Sequence, residues 1–223
     1  MRQPQKQTRR TQVARTVSVS SPVGGWNARD PIAEMKETEA ITLNNFFCTP
    51  YDVMVRYGYT QWVTGLGGVV NSLLSYSPTT GVDKLFACTG ANIFDVTNNG
   101  AAGAAVVTGN TSDKFQYINF GTAGGNFLLA VNGADKLRGY SGSAWWKDGD
   151  GTHDITGVDT ATINNICAFK SRLWMVQKDS LKVWYLASLS IAGAATSIDF
   201  SGVFNRGGYL VAMGDWSLDA GYG

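Results

Sequence analysis

Apolar residues along this chain fall in short runs of four to six, and the runs are cut by Asn99-Gly100, Gly124-Gly125, Asn132-Gly133 and Asp148-Gly149. Runs of that length, rich in β-branched and aromatic residues and bounded by turn pairs, predict β-strands. Each turn pair supplies a residue that accepts positive φ at little cost. Three triplets of strands result: Leu73 to Tyr76, Leu85 to Cys88 and Ile93 to Val96; then Tyr117 to Phe120, Phe127 to Val131 and Leu137 to Tyr140; then Ile166 to Phe169, Leu173 to Val176 and Leu181 to Tyr185. With Gly at 27 of 223 positions, helix is disfavoured almost everywhere. A single helical turn is predicted at Ile32 to Lys36, where Asp30-Pro31 supplies a cap and a first helical residue.

The triplets recur with a period. Val63-Thr64-Gly65 returns as Val107-Thr108-Gly109, Ile155-Thr156-Gly157 and Phe200-Ser201-Gly202, at separations of 44, 48 and 45. Cys88-Thr89-Gly90 and Tyr140-Ser141-Gly142 match a loosened form of this tripeptide, so the flanking strands decide. Leu128, Val131 and Tyr140 stand 45 positions before Leu173, Val176 and Tyr185, and the first unit joins them after a one-residue shift. Self-similarity at roughly 40 to 50 residues with several strands per unit is the signature of β-propeller blades. The expected fold is therefore all-β, with three propeller-like blades and the start of a fourth. That fourth blade opens at Tyr209 to Met213, followed by Trp216 and Leu218. Because a propeller takes about four blades or more, a continuation of the chain or a second polypeptide is expected to cover the open edge.

Composition adds limits. The chain is 44% hydrophobic and 12% aromatic, enough for a core. It holds no apolar run near the roughly 20 residues of a membrane helix, so it reads as a soluble folded protein. Met1 to Thr16 has no apolar stretch of the secretory kind. Cys48, Cys88 and Cys167 are odd in number and lack metal spacing, as expected of buried thiols in a reducing cytoplasm. The net charge of +1 conceals an asymmetry: Arg2, Lys6, Arg9, Arg10, Arg15 and Arg29 all precede the first acid, Asp30. Residues 1–23 read as a basic arm, in which Arg9, Arg10 and Arg15 are the candidate contacts to nucleic-acid phosphates or an acidic neighbouring subunit. The alternation of Val13, Arg15, Val17 and Val19 suggests a short strand completed by a partner or by the body of the protein.

Residues 24–62 lack repeat character. They contain Gly24-Gly25-Trp26-Asn27-Ala28-Arg29-Asp30-Pro31, then Met35, Leu43 and Asn44-Asn45-Phe46-Phe47, and then Arg56-Tyr57-Gly58. This order and spacing resembles the opening of the tail nozzle proteins (tail tubular protein B type) of short-tailed bacteriophages. In that family a Gly-x-Asn-x-Arg-Asp-Pro stretch, a Met, a Leu-x-Asn element and a basic-x-Gly turn precede propeller-like repeats. The chain departs from the pattern in having Lys36-Glu37-Thr38 where the family places prolines, and in being shorter. The resemblance implies a structural virion protein, made in the host cytoplasm. It implies a homo-oligomeric ring, a hexamer, beneath the portal and tail adaptor. That ring would continue the DNA channel, help retain and release the genome and offer contacts to tail fibres. A head-completion plug is the related reading, and residues 63–223 would be the repeats.

Candidate chemistry is sparse. Asn27, Arg29 and Asp30 place an amide, a five-donor fork and a carboxylate ahead of Pro31, suited to locking a loop against backbone groups or a neighbouring subunit. The only histidine, His153, lies in Asp148-Gly149-Asp150-Gly151-Thr152-His153-Asp154. Asp148, Asp150 and Asp154 have cation-ligand spacing, but the sixth loop position is His153 rather than the glycine of an EF-hand. A polar loop between blades is the leading reading there. No second histidine and no Gly-x-Ser-x-Gly motif supports nucleophilic catalysis. All three glutamates lie in Glu34 to Glu39, outside the repeats, so no catalytic residue and no cofactor is expected. Trp145-Trp146 fits packing between blades, or, in a rival reading, sugar stacking by a propeller lectin or glycan-degrading receptor-binding protein.

Overall fold

The computed structural model describes residues 16–215, so Arg9, Arg10, Arg15 and Val13 lie outside the described residues. The chain divides between Thr60 and Gln61 into two units. In the first, β1 (Gly25–Trp26) pairs in parallel with β2 (Glu39–Ala40), and β3 (Phe46–Cys48) pairs antiparallel with β4 (Val53–Val55). The helical turn expected at Ile32 to Lys36 does not form; only a reverse turn does, in which the Glu34 N–H donates to the Pro31 carbonyl at 2.9 Å. The Lys36 N–H, which a helix would direct to Ile32, donates instead to the Glu39 carboxylate at 3.2 Å. Val17 and Val19 are exposed and outside any strand, so this part of the expected N-terminal strand is absent.

Among its described residues the second unit is all-β, with one turn of 3-10 helix at Thr160–Thr162. Its strands are β5 (Val63–Thr64), β6 (Ser72–Tyr76), β7 (Lys84–Thr89), β8 (Asn92–Asp95), β9 (Gly100–Ala101), β10 (Gln116–Thr122), β11 (Gly125–Val131) and β12 (Arg138–Tyr140). There follow β13 (Trp145–Lys147), β14 (Ile155–Thr156), β15 (Ile163–Phe169), β16 (Arg172–Gln177), β17 (Lys182–Tyr185), β18 (Gly193–Ala194) and β19 (Thr196–Asp199). Three antiparallel sheets result, β6-β7-β8, β10-β11-β12-β13 and β15-β16-β17-β19, each a meander in chain order. Every strand of the three predicted triplets is present. The fourth strands β13 and β19 were not foreseen, because Trp145-Trp146-Lys147 is short and Thr196–Asp199 is exposed throughout and carries no burial alternation.

The sheets stack face to face. Leu74, Tyr76, Phe86 and Cys88 of the first sheet meet Leu128, Ala130 and Tyr140 of the second. The opposite face of the second sheet, with Phe120, Leu129 and Val131, meets Ile166, Leu173 and Met175 of the third. The middle sheet is thus covered on both sides, and the run Leu128 to Val131 is fully buried, as apolar runs without alternation require. Burying side chains of this size contributes about 1.5–3 kcal/mol each. Side chains on the two stacked faces repeat with the expected register at Leu128 and Leu173. At Tyr140 the register fails by one residue. Tyr140 faces back to the first sheet, whereas Tyr185 lies on the forward face against Trp174 at 4.9 Å, and Leu186 takes the buried backward position.

The recurring tripeptide likewise divides. Val63-Thr64 and Ile155-Thr156 make the same parallel pairing, with β9 and β18 respectively. Val107 instead forms an antiparallel bridge to Ile93, and Ser201-Gly202 lies in a turn. The tripeptide therefore marks two equivalent positions rather than four.

Candidate interaction sites

The Asn27 to Asp30 segment builds a closed polar knot. The Asn27 side-chain oxygen accepts from the N–H groups of Arg29 at 3.0 Å and Asp30 at 3.1 Å, which turns the chain back on itself. The amide nitrogen then donates to Asp30 at 2.9 Å and to Glu39 at 2.7 Å, so one amide ties two carboxylates together. Arg29 completes the knot with Nε at 2.8 Å and Nη2 at 3.2 Å from the two oxygens of Asp30. The Arg29 guanidinium beside Asp30 holds that carboxyl below its ordinary range, and the Asn27 amide does the same for Glu39. Arg29 itself stays 88% exposed, so the knot presents a fixed, outward guanidinium. An open depression beside it is lined by Trp26, Ala28, Arg29 and Glu39.

The unit that carries this knot has no buried residue among residues 16–60. Trp26, Phe47, Tyr51, Tyr57 and Tyr59 are all exposed. Phe46 and Phe47 sit on β3 about half exposed. Two short ladders without a core are not stable by burial alone.

The acidic loop after β13 separates its carboxylates instead of converging them. Asp148 is buried and accepts from the Ile155 N–H at 2.8 Å and the Thr160 hydroxyl at 2.5 Å, with Lys136 Nζ at 3.5 Å. Lys136 also reaches Asp159 at 3.0 Å, and the Leu137 N–H donates to the Thr160 hydroxyl. Asp154 accepts from the Gly151 N–H. Asp150 accepts from the N–H groups of Thr152 and His153 and meets His153 Nδ1 at 2.9 Å. The His153 ring stacks on Trp146 at 4.0 Å and 13°. Asp148, Asp150 and Asp154 therefore act as separate loop braces, and no group of three metal-capable side chains forms among the described residues.

Trp145 and Trp146 leave β13 on opposite faces. Trp145 packs edge-on to Phe86 at 5.0 Å, in the cluster between the first two sheets; Trp146 joins the cluster between the second and third. Neither ring is laid out on the surface for a sugar. The brace at Asp148 is a feature the sequence hides, because its partners Ile155 and Thr160 are ordinary residues several positions away.

No family model, no curated protein and no solved structure matches this chain.

Proposed function

We propose that the chain is a structural component of a short-tailed phage virion, a tail nozzle protein whose copies form a ring of six below the portal and adaptor and line the path of the DNA. The observation that carries this reading is the Asn27 to Asp30 knot: the stretch on which the resemblance rests folds as a rigid, self-capped loop and directs Arg29 outward from a unit that buries none of its residues 16–60. A segment with that much open aromatic surface is suited to ordering against a neighbour, in which its aromatic rings become buried anchors. The stacked sheets support a propeller-like body, and a mechanical role asks nothing of the acidic loop beyond bracing. The rival glycan-binding reading drew on Trp145-Trp146, whose rings are occupied in packing.

The test is localisation and phenotype. Immunogold labelling of particles should place the protein at the tail, and phage lacking it should leave filled heads that lose DNA. Labelling of fibre tips only, or binding of the purified protein to host glycans, would overturn the nozzle reading. Arg29→Ala and Asn27→Ala should each lower incorporation into particles while leaving the sheet signal in circular dichroism intact.

A further inference from the structure

The chain holds two Asn-Gly pairs, Asn99-Gly100 and Asn132-Gly133, and the fold treats them differently. Asparagine is a thermolabile residue, and a following glycine, having no side chain, lets its backbone nitrogen reach the Asn Cγ and expel the amide. Three conditions must meet: a glycine N–H released from its acceptor, an Asn side chain free to rotate, and room for hydroxide and water. At Asn132 none is met. The Gly133 N–H donates to the carbonyl of the fully buried Ile163 at 2.8 Å. The Asn132 amide donates to the Ser112 carbonyl at 2.8 Å and to Asp135 at 2.7 Å, and its oxygen accepts from the N–H groups of Ala134 at 3.1 Å and Asp135 at 2.8 Å. The approach is crowded as well, since Asn164 would stand 3.3 Å from a Cβ on Gly133. Asn99, in contrast, is exposed in a bend, and its side chain makes no hydrogen bond among the described residues. Nothing stands within 4 Å of where a Gly100 Cβ would lie. The Gly100 N–H is held only by the Trp62 carbonyl at 3.0 Å, at the start of the two-residue β5–β9 pairing, and both residues of β9 are exposed. A pairing so short and so exposed opens at far lower cost than a bond between buried sheets.

We propose that Asn99 is a site of spontaneous modification, converted to aspartate and isoaspartate through a cyclic imide, while the fold preserves Asn132. When the β5–β9 pairing opens, hydroxide takes the Gly100 N–H proton and the nitrogen attacks Asn99 Cγ. The new N–Cγ bond displaces Nδ2, which leaves as ammonia with a proton from water. Water then opens the imide at either carbonyl. Breaking the N–Cγ bond gives aspartate; breaking the bond from Gly100 N to the Asn99 backbone carbonyl gives isoaspartate, with the main chain rerouted through Cγ. Both products carry a new carboxylate, and isoaspartate adds a carbon to the main chain at the entry to β9, which shifts Gly100 out of register with β5. Trp62 and Val63, the partners lost there, wall an apolar groove of about 320 Å³ on the first sheet, so the modification reshapes that groove.

The closing experiment uses the full chain, incubated in mildly alkaline buffer and, in parallel, in concentrated urea, then digested for peptide mass spectrometry. In the native sample the mass gain of amide-to-acid conversion should accumulate at Asn99 about tenfold faster than at Asn132, because exposed short pairings open more readily than buried ones. In urea, where neither pair is held, the two rates should converge. Amide hydrogen exchange of the native chain should show Gly100 exchanging faster than Gly133, and Asn99→Gln should remove the native mass gain at that position. Native conversion at Asn132 as fast as at Asn99 overturns the proposal, as does an Asn99 that stays intact in the native chain. A Gly100 amide as protected as that of Gly133 also overturns it. So does a difference between the two pairs that persists undiminished in urea, since the fold would then not be its source.

Discussion

At the scale of the residue, three positions are fixed tightly enough for definite outcomes. Gly139 lies opposite Trp146 in the β12–β13 pairing, and the indole covers the space a Cβ would fill. Gly139→Ala should therefore cost about 1–3 kcal/mol through overpacking, seen as a lower midpoint in thermal denaturation. Asp148 is buried with a hydroxyl and a backbone N–H pointed at it. Asp148→Ala strands both donors at about 1–3 kcal/mol each, and urea titration should show the loss, whereas Asp148→Asn should retain part of it. Asp150 is held down to about 2, first by the His153 side chain and then by the backbone N–H groups of His153 and Thr152. A carboxyl lowered from 3.8 contributes stability that is complete above the ordinary value and is lost as pH falls through about 2. Since His153 stacks on Trp146, tryptophan fluorescence should hold steady from pH 5 to 4 and change between 4 and 2. Asp150→Asn should abolish that change.

At the scale of the element, the strands were legible because each sits in a run whose burial on one or both faces leaves an apolar trace. β19 was not, since an outer strand exposed to water needs no apolar pattern, and Thr196–Asp199 has none; β13 was not because it spans only Trp145–Lys147. The tripeptide repeat was partly misleading: three residues of turn-and-strand chemistry recur wherever a chain enters a sheet, and Val107 shows it serving a different pairing. Of the candidate sites, the Asn27 to Asp30 knot was readable from residue types close in sequence. The tie to Glu39 was not, because it depends on where β2 returns. The Arg-free hairpin tip between β15 and β16 offers an element-scale test. Lys170 and Ser171 both adopt positive φ, at 49° and 57°, in a two-residue loop that favours Asn-Gly. Lys170→Asn with Ser171→Gly should relieve about 1–2 kcal/mol per left-handed residue at most and raise the melting midpoint by about 2–4 °C per kcal/mol.

At the scale of the whole molecule, the proposed tail role gives the contrast between a basic first segment and an acidic remainder a testable consequence. Reversing Arg9, Arg10 and Arg15 to Glu should reduce incorporation into particles, and the defect should change with salt because exposed charges are screened beyond about 10 Å at 0.1 M. Normal particles from an arm-deleted protein would assign the contact elsewhere. The two seams inside the stack also differ in kind. The first and second sheets are pinned along their first strands by Ser75 to Tyr117 at 2.9 Å and Asn119 to the Ser75 carbonyl at 2.8 Å, and beyond them by Asn126 of β11 to Thr79 at 3.1 Å. The second and third sheets meet through the apolar Ile118, Phe120, Ile166 and Ala168 and are bonded at one end, where the Gly133 N–H donates to the Ile163 carbonyl at 2.8 Å and the Leu137 N–H to the Thr160 hydroxyl at 3.1 Å. Directional bonds resist sliding, whereas aliphatic contacts keep most of their energy through a small rotation. Strain applied across the stack will therefore be taken up as a swivel of the third sheet about its pinned end at Gly133 and Ile163, while the first two turn together as one plate.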